Sequence, residues 1–285
     1  MVDPVNTGAV STPQAVWKIL VVDDEPAIHQ VTKLALRNLV VLGRPCQLIN
    51  ALSARDAREQ LAQHPDIAVV LLDVVMETED AGLEFVRHIR GAAANPLLRI
   101  ILRTGQPGQA PERQVMVDYD INDYKEKTEL TASKLFTSVT ASIRTFAYLL
   151  TMEDFRRAAA VLGPLGGELL ASSSDAALAA CLVEQALALQ LVQGVWVRDA
   201  NDGVLARAGN LPQRPDALAM LAKAGNPGTV AQLDDAYATC LQRPHGAALQ
   251  LFLAADHRLA PHAHYLVTLF LQSCHAVLRH SRAES

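Results

Sequence analysis

The run Ile67-Ala-Val-Val-Leu-Leu-Asp73-Val-Val-Met76 decides the fold. Six aliphatic residues lead without interruption into one carboxylate. An apolar run this short, with no polar alternation, predicts a strand buried on both faces, as in a parallel sheet covered by helices. An aspartate at the C-terminal end of such a strand is aimed at the crevice where open α/β sheets place their ligands. Taken alone, Asp73 reads better as a turn or helix-capping residue. Its partners elsewhere in the chain reverse that preference.

Upstream, Lys18-Ile-Leu-Val-Val22 predicts a strand ending in Asp23-Asp24-Glu25, and Pro26 suits the first turn of a helix. Ile28, Val31, Leu34, Ala35 and Leu39 follow at helical spacing. Cys46 to Ala51 predicts a second strand, and Ser53 an N-cap for a helix carrying Ala57 and Leu61. Downstream, Leu83, Phe85, Val86 and Ile89 mark a helix, and Arg99-Ile-Ile-Leu-Arg103 a strand ending at Thr104-Gly105. A looser helix from about Ala110 to Val117 precedes a short strand, Ile121 to Tyr124, which closes at Lys125-Glu-Lys127. Strand and helix alternate throughout, which predicts a doubly wound, five-stranded parallel sheet of flavodoxin-like order 2-1-3-4-5.

In that order Asp23, Asp24, Asp73, Thr104 and Lys127 all meet at the switch point of the sheet. Carboxylates so close repel one another unless a cation sits among them. Oxygen-only ligands favour Mg²⁺, which keeps several waters and takes few carboxylates. Such a centre polarises a phosphoryl group and leaves one carboxylate to attack it, while a hydroxyl and an ammonium hold the phosphoryl oxygens.

Val-Val-Asp23-Asp24-Glu25-Pro, Leu-Leu-Asp73-Val-Val-Met, Thr104-Gly and Asp-Tyr124-Lys-Glu-Lys127 together resemble the receiver domain of two-component response regulators, over about residues 16–147. The resemblance implies that Asp73 is the phosphoacceptor, supplied by a sensor histidine kinase or phosphotransfer protein. It implies that Asp24, Asp73 and the backbone carbonyl of Val75 ligate Mg²⁺, with Asp23 acting through a water. Thr104 and Lys127 would hold the phosphoryl group, Tyr124 matches the aromatic that turns inward, and Gly105 leaves the site accessible. Lys125, two residues earlier on the same strand face, is the rival lysine; the spacing from Asp123 favours Lys127. Glu77 stands where the family often has proline and adds negative charge near the metal. Thr128 also replaces a usual proline, and one residue is inserted between Met76 and Gly82. The segments Leu71–Gly82, Arg99–Arg113 and Tyr119–Thr131 are similar to a receiver subfamily joined to an uncharacterised GAF-like sensory domain, often followed by an HD-GYP cyclic-di-GMP phosphodiesterase.

Pattern divides the remaining chain. Residues 1–15 read as a disordered tail without a signal peptide. From Glu129 to Ala160 neither proline nor glycine occurs, and Leu135, Val139, Ile143, Phe146 and Leu150 recur at threes and fours. This predicts a long signalling helix that Gly163-Pro-Leu-Gly-Gly167 ends, with a homodimer formed along its free length. Residues 161–285 predict a small α+β GAF-like domain: a helix through Leu178 and Leu189, the strand Gln193 to Arg198, a turn at Ala200-Asn-Asp-Gly203, a return strand, a helix near Asp216 to Ala224, the strand Ala247 to Ala254, and a terminal helix from Tyr265. Trp196 reads as core.

Composition limits the output. With 285 residues, half of them hydrophobic, and a net charge of −5, the chain can bury real cores but shows no basic patch for nucleic acid. No apolar run reaches the ~18 residues of a membrane helix. Cys46, Cys181, Cys240 and Cys274 form no CxxC pair, consistent with a reduced, cytoplasmic protein. His257, His262, His264 and Cys274 lack repeating zinc spacing. HD-GYP, GGDEF-like, EAL-like and GxxxxGK[ST] motifs are all missing. The expectation is therefore a regulator that is not itself an enzyme, apart from phosphorylation and dephosphorylation of Asp73. It would act on an unknown output protein. Two alternatives remain: an aspartyl-phosphate phosphatase, against which stands the adjacent Asp23-Asp24 in place of Asp-x-Asp, and an unphosphorylated scaffold for a cyclic-di-GMP enzyme.

Overall fold

The computed structural model describes residues 16–91, 95–105, 121–126, 131–210, 226–243, 247–255 and 259–280. It divides into two compact units, residues 1–150 and 151–285. The expected tail, the loop after Gly105, Lys127 and the helix near Asp216 lie outside the described residues.

The first unit is built on β4 (Ile67–Asp73), buried at every position. It lies between β1 (Trp17–Val22) and β5 (Arg99–Thr104), parallel to both. Alternate side chains serve two cores. Val70 and Leu72 join Phe85, Val86 and Ile89 of α3 (Ala81–Arg90) on one face. Val69 and Leu71 join Val139 and Ile143 on the other. Each aliphatic side chain so buried contributes about 1.5–3 kcal/mol, which is why the uninterrupted run settles at the centre. The full order is β2-β3-β1-β4-β5-β6, with β2 (Val40–Val41), β3 (Arg44–Ala51) and β6 (Asp123–Glu126). Five strands follow the expected parallel order; β2 adds a short antiparallel edge on β3.

Two helices start the polar loops. α2 (Ala54–Gln63) begins at Ser53, whose hydroxyl accepts from Asp56 N at 3.1 Å. α1 (Pro26–Ala35) departs from its expected face: Val31 and Leu34 are exposed, and the helix buries His29 and Thr32 instead. Ala35 packs on the core and Leu39 is buried in it, so the apolar spacing marks the inward side only in part, and polar groups complete it.

The long helix α4 (Ala132–Leu170) runs through Gly163-Pro164 rather than stopping there. A helix-interior proline costs about 3 kcal/mol. Leu165 and Leu169 are 1% and 2% exposed in the core of the second unit, and burial of two leucines at about 1.5–3 kcal/mol each offsets that cost.

The second unit carries a five-stranded antiparallel sheet, ordered β8-β7-β11-β10-β9. Its strands are β7 (Gly194–Arg198), β8 (Val204–Gly209), β9 (Val230–Leu233), β10 (Ala236–Leu241) and β11 (Leu249–Ala254). The β7–β8 turn is held by Asp199 Oδ1, which accepts from Asn201 N and Gly203 N, each at 2.8 Å. One sheet face packs on α5 (Asp175–Ala188), α6 (Pro261–Arg279) and the end of α4. The other holds Trp196, Ala236, Ala238 and Phe252. Strands β9 and β10 escaped the sequence reading because Val-Ala-Gln-Leu and Ala-Tyr-Ala-Thr-Cys-Leu lack a β-branched run. Their link is Asp234, at φ 53°.

Candidate functional site

The site lies where β1, β4 and β5 end. Asp23 follows β1, with its backbone N–H donating to the Ala51 carbonyl at 3.1 Å. Asp73 is the last residue of β4, and Val22 pairs with Leu72, so the neighbouring strand ends bring Asp23, Asp24 and Asp73 together. One carboxylate oxygen from each of the three lies within 4.8 Å of the others. Asp23 and Asp73 are buried and Asp24 is exposed. Three oxygen donors this close, one open to solvent, fit a hard divalent cation that retains water.

Thr104 ends β5 and is 3% exposed. Gly105 follows it and is exposed. Val75 is half-buried in the loop after Asp73. Tyr124 on β6 is half-buried against the core that contains Leu102 and Leu72. Lys125 forms an ion pair with Asp123 at 3.0 Å. Lys127 lies outside the described residues.

The loop after Asp73 is fastened at several points. Val74 N–H donates to the Arg103 carbonyl and Gly82 N–H to the Val74 carbonyl, both at 3.1 Å. A side chain at Gly82 would collide with the backbone of Asp73 and Val74, so only glycine lets α3 begin there. Glu77 does not turn toward the carboxylates as its sequence position implied. Its Oε1 accepts from Ala54 N at 2.9 Å, placing the negative charge at the start of α2.

His29, Asn50, Thr32 and Arg103, unmarked as site residues by sequence reasoning, complete the site. His29 Nε2 donates to the Asp23 carbonyl at 2.7 Å, and its Nδ1 faces the Asn50 amide. Arg103 Nη2 lies 3.4 Å from Asp23 Oδ2, and its Nη1 donates to Thr32 Oγ1 at 3.1 Å. Burial draws the Arg103 guanidinium below its ordinary pKa, and Asp23 and Asp73 act against that shift. A charged residue inside an aliphatic strand was the available signal.

In the second unit, His262 pairs with Asp154 at 3.0 Å and His264 lies 3.1 Å from the Tyr237 hydroxyl. Among the described residues, Asp23, Asp24 and Asp73 are the one carboxylate, histidine and cysteine group placed to hold a metal ion. The four cysteines are free. No helix among the described residues is long and apolar enough to cross a membrane.

Comparison with known proteins agrees with this geometry. Residues 19–140 match the response regulator receiver domain family, and this segment is a receiver domain of a two-component response regulator. The 3′3′-cGAMP-specific phosphodiesterase 2 of Vibrio cholerae serotype O1 is 50% identical over 141 residues, covering 50% of this chain and 27% of that protein. The chain thus spans about a quarter of that relative's length. A receiver domain protein from Clostridium thermocellum is 24% identical, with a TM-score of 0.40, over 47% of this chain and 99% of its own. The signal receiver domain of an HD domain-containing protein from Pseudomonas fluorescens is 21% identical, with a TM-score of 0.40, over 47% and 99%.

One expectation is corrected here. The missing catalytic motifs led to a chain that is not an enzyme, yet the 50%-identical relative is a phosphodiesterase. A receiver domain is itself non-catalytic, so the motifs of that segment could not decide the matter.

Proposed function

We propose that the chain is a phosphorylatable regulator acting in the cytoplasm, with Asp73 accepting a phosphoryl group from a sensor histidine kinase or phosphotransfer protein. The convergence of Asp23, Asp24 and Asp73 within 4.8 Å beside Thr104 carries this reading. An Asp73 carboxylate oxygen attacks the phosphorus of a phosphohistidine. The P–N bond breaks, the imidazole leaves with its electron pair, and an acyl phosphate forms. Asp24, Asp73 and the Val75 carbonyl would hold Mg²⁺, which when bound offsets charge on the phosphoryl oxygens. Asp23 would act through a water. Thr104 and Lys127 would bind the phosphoryl oxygens, and Tyr124 would follow Thr104 inward. Gly105 leaves the approach open.

The partner surface is supported by α1, the helix that follows Asp23 and Asp24, whose Val31 and Leu34 are 61% and 70% exposed. Exposed apolar residues on that helix suit a docked helical partner. Homodimer formation is supported by Tyr148, Met152 and Phe155, exposed along α4 at intervals of four and three. The five-stranded antiparallel sheet with flanking helices supports a GAF-like second domain that receives the signal. The likeness to a cGAMP phosphodiesterase supports an output in cyclic nucleotide signalling.

Labelling with a small phosphodonor such as acetyl phosphate tests the reading. Asp73→Asn abolishes incorporation; a variant that still labels places the acceptor elsewhere.

A further inference from the structure

The acidic site contains a cation of its own. The side chains of Arg103 and Asp23 are 4% and 0% exposed. A guanidinium buried so deeply persists where its charge is matched. Here Asp23 and Thr32 receive its two terminal nitrogens, while Nε has no partner among the described residues, and the Arg103 carbonyl accepts from Val74, the residue after Asp73. Arg103 therefore braces the end of β1 through its side chain and the end of β4 through its backbone.

The consequence for Asp23 is specific. Its Oδ1 accepts from Glu25 N at 3.1 Å and its Oδ2 faces Arg103. Both oxygens are engaged by the protein itself. Asp24, by contrast, is open to solvent. Three carboxylates and one guanidinium bring formal charges of −3 and +1 to the centre, a difference that a single divalent cation neutralises.

We propose that Arg103 is a positioning residue of the metal-binding centre: it holds Asp23 back from direct ligation, leaves Asp24 and Asp73 as the ligand pair, and sets the charge of the site to match one divalent cation. This rests on the reading of Asp73 as an Mg²⁺-dependent phosphoacceptor. Arg103 lowers the attraction for cations, and it keeps the buried carboxylates from repelling one another before the metal arrives.

Mg²⁺ binding by the full chain, measured by calorimetry, tests this. Removing a buried positive charge near the site tightens Mg²⁺ on the order of tenfold in Arg103→Gln, whereas Arg103→Lys stays close to the unaltered chain. Asp23→Asn weakens binding on the order of tenfold, and Asp23→Asn with Arg103→Gln restores it to within about threefold. If Arg103→Gln alone does not fold, because it leaves Asp23 buried and uncompensated, the comparison of Asp23→Asn with the double variant carries the same test. Equal affinities in those two, or an unchanged affinity in folded Arg103→Gln, overturn the role of Arg103 while leaving the phosphoacceptor reading intact. Failure of the unaltered chain to bind Mg²⁺ overturns both.

Discussion

Asp73 acquires its chemistry from position. A carboxylate at the end of a fully buried strand cannot be drawn away into a flexible turn, and the residues just after β1 supply two more. The sequence made this part legible because each acidic residue ends an aliphatic run. It concealed the groups that fasten the site. His29 and Thr32 sit on a helix where two of the apolar residues, Val31 and Leu34, point outward, and Arg103 looks like a surface charge until β5 is seen to be buried on both faces. Glu77 was legible as a departure but not as a helix-start ligand, since its partner Ala54 is 23 residues away. Glu77→Ala is expected to destabilise the chain by about 1 kcal/mol, read as a shift of the urea midpoint.

His275 offers a pH test at the same scale. Its ring fills the space left by Gly228, and Gln242 N donates to its Nδ1 at 3.4 Å. Burial, and then the charge of Arg279, hold its pKa below the ordinary histidine value. The folded state therefore binds its proton less readily than the unfolded chain does. The contribution to stability is present above the unfolded pKa and is lost as pH falls through the folded value. Urea midpoints at about pH 7.5 and about pH 5.5 should differ less in His275→Gln than in the unaltered chain.

Among the elements, α4 departs most from what its sequence implies. Glycine and proline at 163, 164, 166 and 167 mark a stop by local propensity, but the buried leucines that follow override it. The balance between the two is measurable. Pro164→Ala should stabilise the second unit by about 1–3 kcal/mol, because it restores a helical hydrogen bond and removes a clash. Leu165→Ala should cost about 2–5 kcal/mol, because it empties a fully packed position. A neutral outcome for Leu165→Ala in thermal unfolding would mean that the helix end is not held by this core. Strands β9 and β10 make the complementary point: alanine-rich strands with no β-branched run become visible only through their partners, β10 with Phe252 and Leu253 of β11 and β9 with β10.

Across the whole molecule, the two units differ in how far sequence reaches. The first is an alternating pattern whose polar punctuation falls at strand ends, so fold and site emerge together. The second has no such punctuation, and its sheet order depends on non-local antiparallel pairing that short segments do not specify. Motif reasoning addresses the residues present, while the 50%-identical phosphodiesterase extends well beyond the matched region. At this scale the proposed function has one event, phosphorylation of Asp73.

That event is tested most directly by beryllofluoride, which mimics a phosphoryl group on a carboxylate. Fluorine NMR of the full chain with beryllofluoride should show a bound signal that requires Mg²⁺, reaches one equivalent per chain and disappears in Asp73→Asn. The absence of a bound signal in the unaltered chain with Mg²⁺, or its persistence in Asp73→Asn, would contradict the assignment of Asp73 as the phosphoacceptor.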